Sequence, residues 1–244
     1  MKFHHDRNLH RYARLMEEPI PAHVVHCRSL TLDLGETEKI EETKNRIVSL
    51  IKKSDPVSLT LNLIERCGHI FTYSAISEME NFARLELDLD FYALPVLFHV
   101  EESYAMKLEV LHVSGGQLAN FDRLTSLVEL KLDQVKVSEK ELQKIASLPQ
   151  LKILRLPNGD VYWDDFGKYL FTSGLVQLVE LDLSDNNFDY SNVDLLKYLK
   201  PLMQLRKLNL RNTSIIDAQL GDISNLRELS ELNISQNHIK LTLG

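Results

Sequence analysis

Residues 178–188 read Leu178-Val-Glu-Leu181-Asp-Leu183-Ser-Asp-Asn186-Asn-Phe188. Apolar residues stand at offsets 0, 3, 5 and 10 of this stretch, with asparagine at offset 8. Offsets 3 and 5 differ by two, the period of a strand with one buried face. Leu181 and Leu183 therefore point inward, and Glu180, Asp182 and Ser184 point to solvent. The frame recurs downstream at Leu205, Leu208, Leu210, Thr213 and Ile215, and at Leu229, Leu232, Ile234, Asn237 and Ile239. Upstream it recurs at Leu151, Leu154, Leu156, Gly159 and Val161, and at Leu127, Leu130, Leu132, Val135 and Val137. Weaker copies begin at Leu108 and Phe82, and degenerate ones at Pro56 and Cys27. Successive starts differ by 29, 26, 26, 19, 24, 27, 27 and 24 residues.

Between the strands the period becomes helical. Ile40, Ile47, Leu50 and Ile51 form one apolar stripe, as do Leu142, Ile145 and Leu148, and Val193, Leu196 and Leu199. Each unit is thus strand, turn, helix and return, and one unit cannot bury its own apolar face, so neighbours must stack into a continuous core. The 19-residue step after Leu108 is too short for a full helix, so Leu118, Phe121 and Leu124 are expected in a tight turn or 3₁₀ piece. The repeat accounts for a leucine content of 44 in 244 residues, about 18%.

The pattern resembles the leucine-rich repeat family, L-x-x-L-x-L-x-x-N/C-x-L with a period of about 20 to 29 residues, mixing ribonuclease-inhibitor-like and shorter repeats. The resemblance covers residues 27–240. It implies a right-handed α/β solenoid of about nine coils, with a parallel concave sheet and mostly helical convex side. It also implies that the asparagine side chain ties each turn to the neighbouring coil's backbone. Only Asn186 and Asn237 match there, with Thr213 a substitute, so a less regular first half is expected.

A solenoid must cover its terminal apolar faces. Leu9, Tyr12, Ala13 and Met16 have helical spacing, and Pro19 and Pro21 stop the segment. Residues 1–22 are accordingly expected to be an N-terminal helical cap, with the helix over 6–18, and residues 23–244 to be the repeat domain. A membrane-surface helix is the weaker reading of that stripe, which is short and of mixed charge. After Ile239 only Lys240-Leu241-Thr242-Leu243-Gly244 follow. Three readings of that end stand open: a lost downstream segment, a tolerated edge blunted by Lys240, or a homodimer through the uncapped strand near Glu231–Ser235.

Composition excludes several function classes. No apolar run approaches the roughly 20 residues of a membrane-spanning helix. A net charge of −7 opposes phosphate-backbone binding, so no nucleic acid is expected. The N-terminus, Met1-Lys2-Phe3-His4-His5-Asp6-Arg7, lacks the apolar core of a secretory signal, and two cysteines make no disulfide framework. A cytoplasmic location follows as an expectation.

Catalytic and metal motifs are sparse. His23 and His26 lead into an expected strand, where positions three apart face opposite sides. His4, His5 and His10 are best read as a polar tail. Cys27 takes a core position, and Cys67 in Glu65-Arg66-Cys67-Gly68-His69 has no placed base. Phosphate-loop, zinc-helix and nucleophile-elbow motifs do not occur. No cofactor, metal or catalytic residue is assigned.

Function is therefore expected in recognition, on the solvent-facing strand positions at offsets 2, 4 and 6. The second of these columns runs through Glu86, His112, Lys131, Arg155 and Asp182, placing three basic residues in succession about 4.8 Å apart. Arg84 heads the acidic approach formed by Glu86 and Asp88, while Val110 and Ile153 are apolar where polar residues are expected. Like charges stacked at that spacing are destabilising unless compensated, which motivates docking of an acidic segment. The competing reading is an ordinary solvated face. Trp163 and Tyr190, 27 residues apart, occupy equivalent places and form a second candidate, against a role in covering the turn. The candidate partner-binding set is Arg84, Glu86, Asp88, His112, Lys131, Arg155, Trp163, Asp182 and Tyr190. The expected function is a non-catalytic protein–protein interaction module: an adaptor, substrate receptor or regulator. The alternative is the targeting part of a ubiquitin ligase system, or a bacterial effector in host cytosol.

Overall fold

A computed structural model describes residues 10–14, 29–34, 45, 49, 57–63, 82–89, 97–99, 105–115, 117–119, 121–135, 137–159, 170, 174–188 and 195–239. Nine strands follow the repeat frame: β2 (Ser29–Leu34), β3 (Ser58–Leu63), β4 (Arg84–Leu89), β6 (Val110–Ser114), β8 (Glu129–Asp133), β9 (Ile153–Arg155), β10 (Glu180–Asp182), β11 (Lys207–Asn209) and β12 (Glu231–Asn233). They lie side by side in that order in one sheet, all parallel, with β1 (His10–Arg14) outside β2. The register is the repeat register without a slip: Leu59 pairs with Leu85, Leu111 with Leu130, Leu154 with Leu181, and Leu208 with Leu232. A parallel leucine-rich repeat solenoid is therefore the observed architecture.

Burial alternates along the strands. In β6 and β8 the residues at offsets 3 and 5 are buried and those at 2, 4 and 6 half-buried. Leu127, Leu130, Leu151, Leu154, Leu178, Leu181, Leu205 and Leu208 belong to one continuous core. A further row closes it three residues ahead of each repeat start: Ala105, Leu124, Leu148, Leu175, Leu202 and Leu226 are all buried.

Strand length is decided at offset 7. In the coils of β2, β3 and β4 that position is Leu34, Leu63 or Leu89, and each strand runs through it for six residues. In the next six coils it is Gly115, Gln134, Asn158, Asp185, Asn212 or Gln236, each with φ between 52° and 75°. Glycine, asparagine and aspartate enter this left-handed region most easily, and a leucine there would strain. The turn aims the backbone N–H at the next coil, as in Asp185 N to Arg211 O at 2.9 Å and Asn212 N to Ser235 O at 2.9 Å.

The coil connections follow the expected periods. Leu142 and Ile145 enter the core from α1 (Glu139–Ala146), whose first turn is capped by the Ser138 hydroxyl accepting from Glu141 N at 3.3 Å. Leu196 and Leu199 do the same from α2 (Leu195–Leu199). In the short coil, β7 (Gln117–Ala119) pairs with β5 (Leu97–His99), and a 3₁₀ turn at Phe121–Arg123 buries Phe121. The last described connection is a 3₁₀ helix, Asp217–Asn225.

The N-terminal helix expected over residues 6–18 is corrected. His10–Arg14 is strand β1, paired over five residues with Ser29–Asp33. The outer edge of β2 offers a row of unpaired backbone groups, whereas an isolated helix of about a dozen residues is marginal. At the other end β12 is exposed throughout, and Leu232 is 43% exposed against 2% for Leu208. No helix among the described residues is long and apolar enough to cross a membrane.

Candidate functional site

The parallel register brings the expected second column together as Glu86, His112, Lys131, Arg155 and Asp182 on adjacent strands. The first column, interleaved with it, runs Arg84, Val110, Glu129, Ile153 and Glu180. Pairing occurs mainly between the columns, with Thr60 and His112 also reaching Glu86 along the second. Arg84 donates to Glu86 Oε1 at 3.0 and 2.5 Å, and the Thr60 hydroxyl donates to Glu86 Oε2 at 3.2 Å. His112 Nδ1 lies 3.5 Å from Glu86 Oε1, and its Nε2 lies 2.7 Å from Glu129 Oε1. Arg155 donates to the same Glu129 oxygen at 2.5 Å and to Glu180 Oε1 at 2.7 Å.

This lattice removes the premise that the basic column is uncompensated. Two of its three members are clasped by carboxylates from the neighbouring column. Lys131 is different: its Nζ is 3.7 Å from Asp133 Oδ2 and its side chain is 37% exposed. Val110 and Ile153 are half-buried beside the lattice.

Burial opposes charge on Glu86, but the hydrogen bond and charge of Arg84, with His112 and Thr60, outweigh it and hold the carboxyl below its ordinary range. Burial likewise opposes charge on Glu129, and His112 and Arg155 outweigh it there. For His112 burial wins over the pull of Glu129, and its pKa falls below the ordinary histidine value. The imidazole is thus neutral near pH 7, with Nε2 as the donor to Glu129.

Asp182 has a local task. Its Oδ1 accepts Ser184 N at 2.9 Å, as Asn209 Oδ1 accepts Arg211 N at 3.2 Å and Asn233 Oδ1 accepts Ser235 N at 3.1 Å. These side-chain turns lead the chain out of β10, β11 and β12. Asp88 lies in β4 opposite Ser114. Trp163 and Tyr190 lie outside the described residues, as do His4, His5, His23, His26, Cys27, Cys67 and the stripe from Ile40 to Ile51. Among the described residues no cluster of three or more His, Cys, Asp and Glu side chains could hold a metal ion.

The asparagine position behaves as the resemblance implied. Asn237 Nδ2 donates to Leu210 O in the preceding coil at 2.6 Å, and Asn237 Oδ1 accepts Thr213 N at 2.9 Å. Asn186 Nδ2 donates to Leu156 O, one coil back, at 2.8 Å. The fold is that of the leucine-rich repeat proteins. Solved structures agree. An internalin of Listeria monocytogenes matches with a TM-score of 0.54 at 20% identity, over 88% of this chain and 56% of that one. The Toll–Spatzle complex of Drosophila matches with a TM-score of 0.62 at 14% identity, over 96% of this chain and 31% of that one. The chain thus spans about half the length of the first and a third of the second. No protein-family model and no curated protein matches the sequence.

Proposed function

We propose that the chain is a non-catalytic protein-binding module, an adaptor, substrate receptor or regulator, that docks an acidic segment of a partner protein on the open face of its sheet around Lys131. The observation that carries this reading is the contrast within the basic column. His112 and Arg155 are held by carboxylates at 2.5 to 2.7 Å, whereas Lys131 stands between them with its nearest carboxylate at 3.7 Å. The lattice satisfies His112 and Arg155 within the sheet and leaves Lys131, 37% exposed, as the cation of this column open to a partner carboxylate. The Toll structure is of a protein–protein complex, which supports the class of function.

The test is affinity capture with the full chain as bait. A protein recovered by the wild-type and Lys131→Arg baits, but lost from Lys131→Glu, supports the reading. Equal recovery by Lys131→Glu overturns the face assignment. Arg155→Glu is unsuitable as a surface probe, because it would set a third carboxylate beside Glu129 and Glu180.

A further inference from the structure

Several of the described coils enter their strands through a tight turn. Leu127 N donates to Leu124 O at 3.1 Å, Leu178 N to Leu175 O at 2.9 Å, and Leu205 N to Leu202 O at 3.0 Å. The outer residues of the turn are buried, leucines in every case but Ala105, and the residue after the first is exposed. Over five consecutive coils that residue is Met106, Thr125, Pro149, Val176 and Met203. Turns ordinarily favour Gly, Asn, Asp, Ser and Pro. Here Met106 is 66% exposed, Val176 54% and Met203 49%. The other large exposed hydrophobics among the described residues are Val57, Ile216 and Leu232, and the last two belong to the end of the sheet. Singly exposed apolar side chains are ordinary, and Thr125 sets Met106 apart, but Pro149, Val176 and Met203 on three adjacent coils form a patch.

The row is backed by a rigid line of backbone bonds. Val128 N donates to Glu109 O at 2.8 Å, Lys152 N to Val128 O at 2.9 Å, Val179 N to Lys152 O at 2.8 Å, and Arg206 N to Val179 O at 2.8 Å. Val128 and Val179 are half-buried, while Lys152 and Arg206 are exposed, with no carboxylate in ion-pair range among the described residues. Over the last three of these coils the charged residues of the border, Lys152 and Arg206, are both basic, whereas the exposed Glu109 holds the same place beside Met106.

We infer that this lip of the sheet, from Pro149 to Met203, is a second docking surface, fitted to an amphipathic helix of a partner protein whose apolar stripe is bordered by acidic residues. Spacing selects a helix. Neighbouring coils stand about 4.8 Å apart, and a helix lying across them presents one stripe position per turn of about 5.4 Å. An extended segment presents same-face residues only every ~6.7 Å, which falls out of step within two coils. Charge selects the acidic border, opposite Lys152 and Arg206. The surface lies on the turns that precede the strands, away from Lys131, so it stands or falls separately from the open-face reading.

The probe is a fluorescein-labelled helical peptide of ~18 residues, with leucines at i, i+4, i+7 and i+11 bordered by glutamates, titrated with the full chain. Saturable anisotropy is expected. Binding should weaken about tenfold when lysines replace the glutamates, and about tenfold for Val176→Asp with Met203→Asp. Lys131→Glu should leave it unchanged. Should the aspartate pair unfold by circular dichroism, Val176→Ser with Met203→Ser reads the same loss. Absence of saturation, equal affinity of the two peptides, or equal binding by the folded double variant overturns the inference.

Discussion

Nε2 of His112 on β6 lies 2.7 Å from Oε1 of Glu129 on β8, and the burial of His112, which outweighs the pull of this contact, ties the stability of the open face to pH. Burial holds His112 below its ordinary pKa of 6.5. As pH falls, the unfolded chain takes up this proton first, so the contribution of His112 is whole above about 6.5 and is lost as pH drops through the folded-state value. Glu86 and Glu129, held below 4.5, add a second loss on further acidification. The urea midpoint should therefore decline from about pH 6.5 downward. His112→Gln should flatten the upper part of that decline and leave the lower part; an unchanged profile would contradict the assignment.

Glu129 is the shared acceptor of the lattice, 17% exposed, between His112 and Arg155. Removing it leaves the Arg155 guanidinium with Glu180 alone and the imidazole without its acceptor. Glu129→Ala should cost about 1 to 3 kcal/mol. Urea unfolding of the singles and the double variant with Arg155→Ala should show the two costs to be less than additive. Strict additivity would show that the contact carries no energy.

Most of the sheet was legible because each strand contributes two inward residues at a fixed offset, and a one-residue slip would expose Leu130 and Leu132 together. The columns followed from the same arithmetic. The diagonal pairing did not: Glu129 and Glu180 sit in the first column, and only side-chain reach shows that they clasp His112 and Arg155 of the second. The left-handed turns were hidden because Gln134 and Gln236 share the position with Gly115 and Asn158, so no single residue type marks it. The segment with Leu9, Tyr12, Ala13 and Met16 carries a helical stripe, yet the free edge of β2 takes His10–Arg14 as a strand. Here a tertiary pairing overrides a local pattern.

The asparagine at offset 8 gives a sharper test of how the coils are tied. Asn186 is 1% exposed, and its Nδ2 donates to the carbonyls of Leu156, Leu183 and Ser184 at 2.8, 2.8 and 3.0 Å. Asn186→Leu keeps the branching of the side chain but leaves those buried carbonyls without this donor. A cost of about 2 to 4 kcal/mol is expected from urea unfolding. Thr213→Val removes only the Oγ1 bond to Leu210 O at 2.7 Å and the weaker contact to Asn237, and should cost about 1 kcal/mol. A smaller loss for Asn186→Leu than for Thr213→Val would refute this ranking.

Two glycines separate close approach from chain flexibility. A Cβ on Gly174 would stand 1.9 Å from Ala146 O and 2.9 Å from Ala146 C, both backbone atoms at the end of α1. Neither can rotate away, so α1 or the turn before Leu175 would have to shift. Gly174→Ala should cost about 2 to 4 kcal/mol. Gly221 lies in the 3₁₀ helix Asp217–Asn225, and a Cβ there would meet nothing within 4 Å. Gly221→Ala should instead stabilise by about 0.4 to 1 kcal/mol, because it narrows the unfolded ensemble at no folded-state cost. Paired urea melts of the two variants should move in opposite directions. A Gly174→Ala midpoint equal to wild type would show that the approach of Gly174 to Ala146 is not needed for the coil to close.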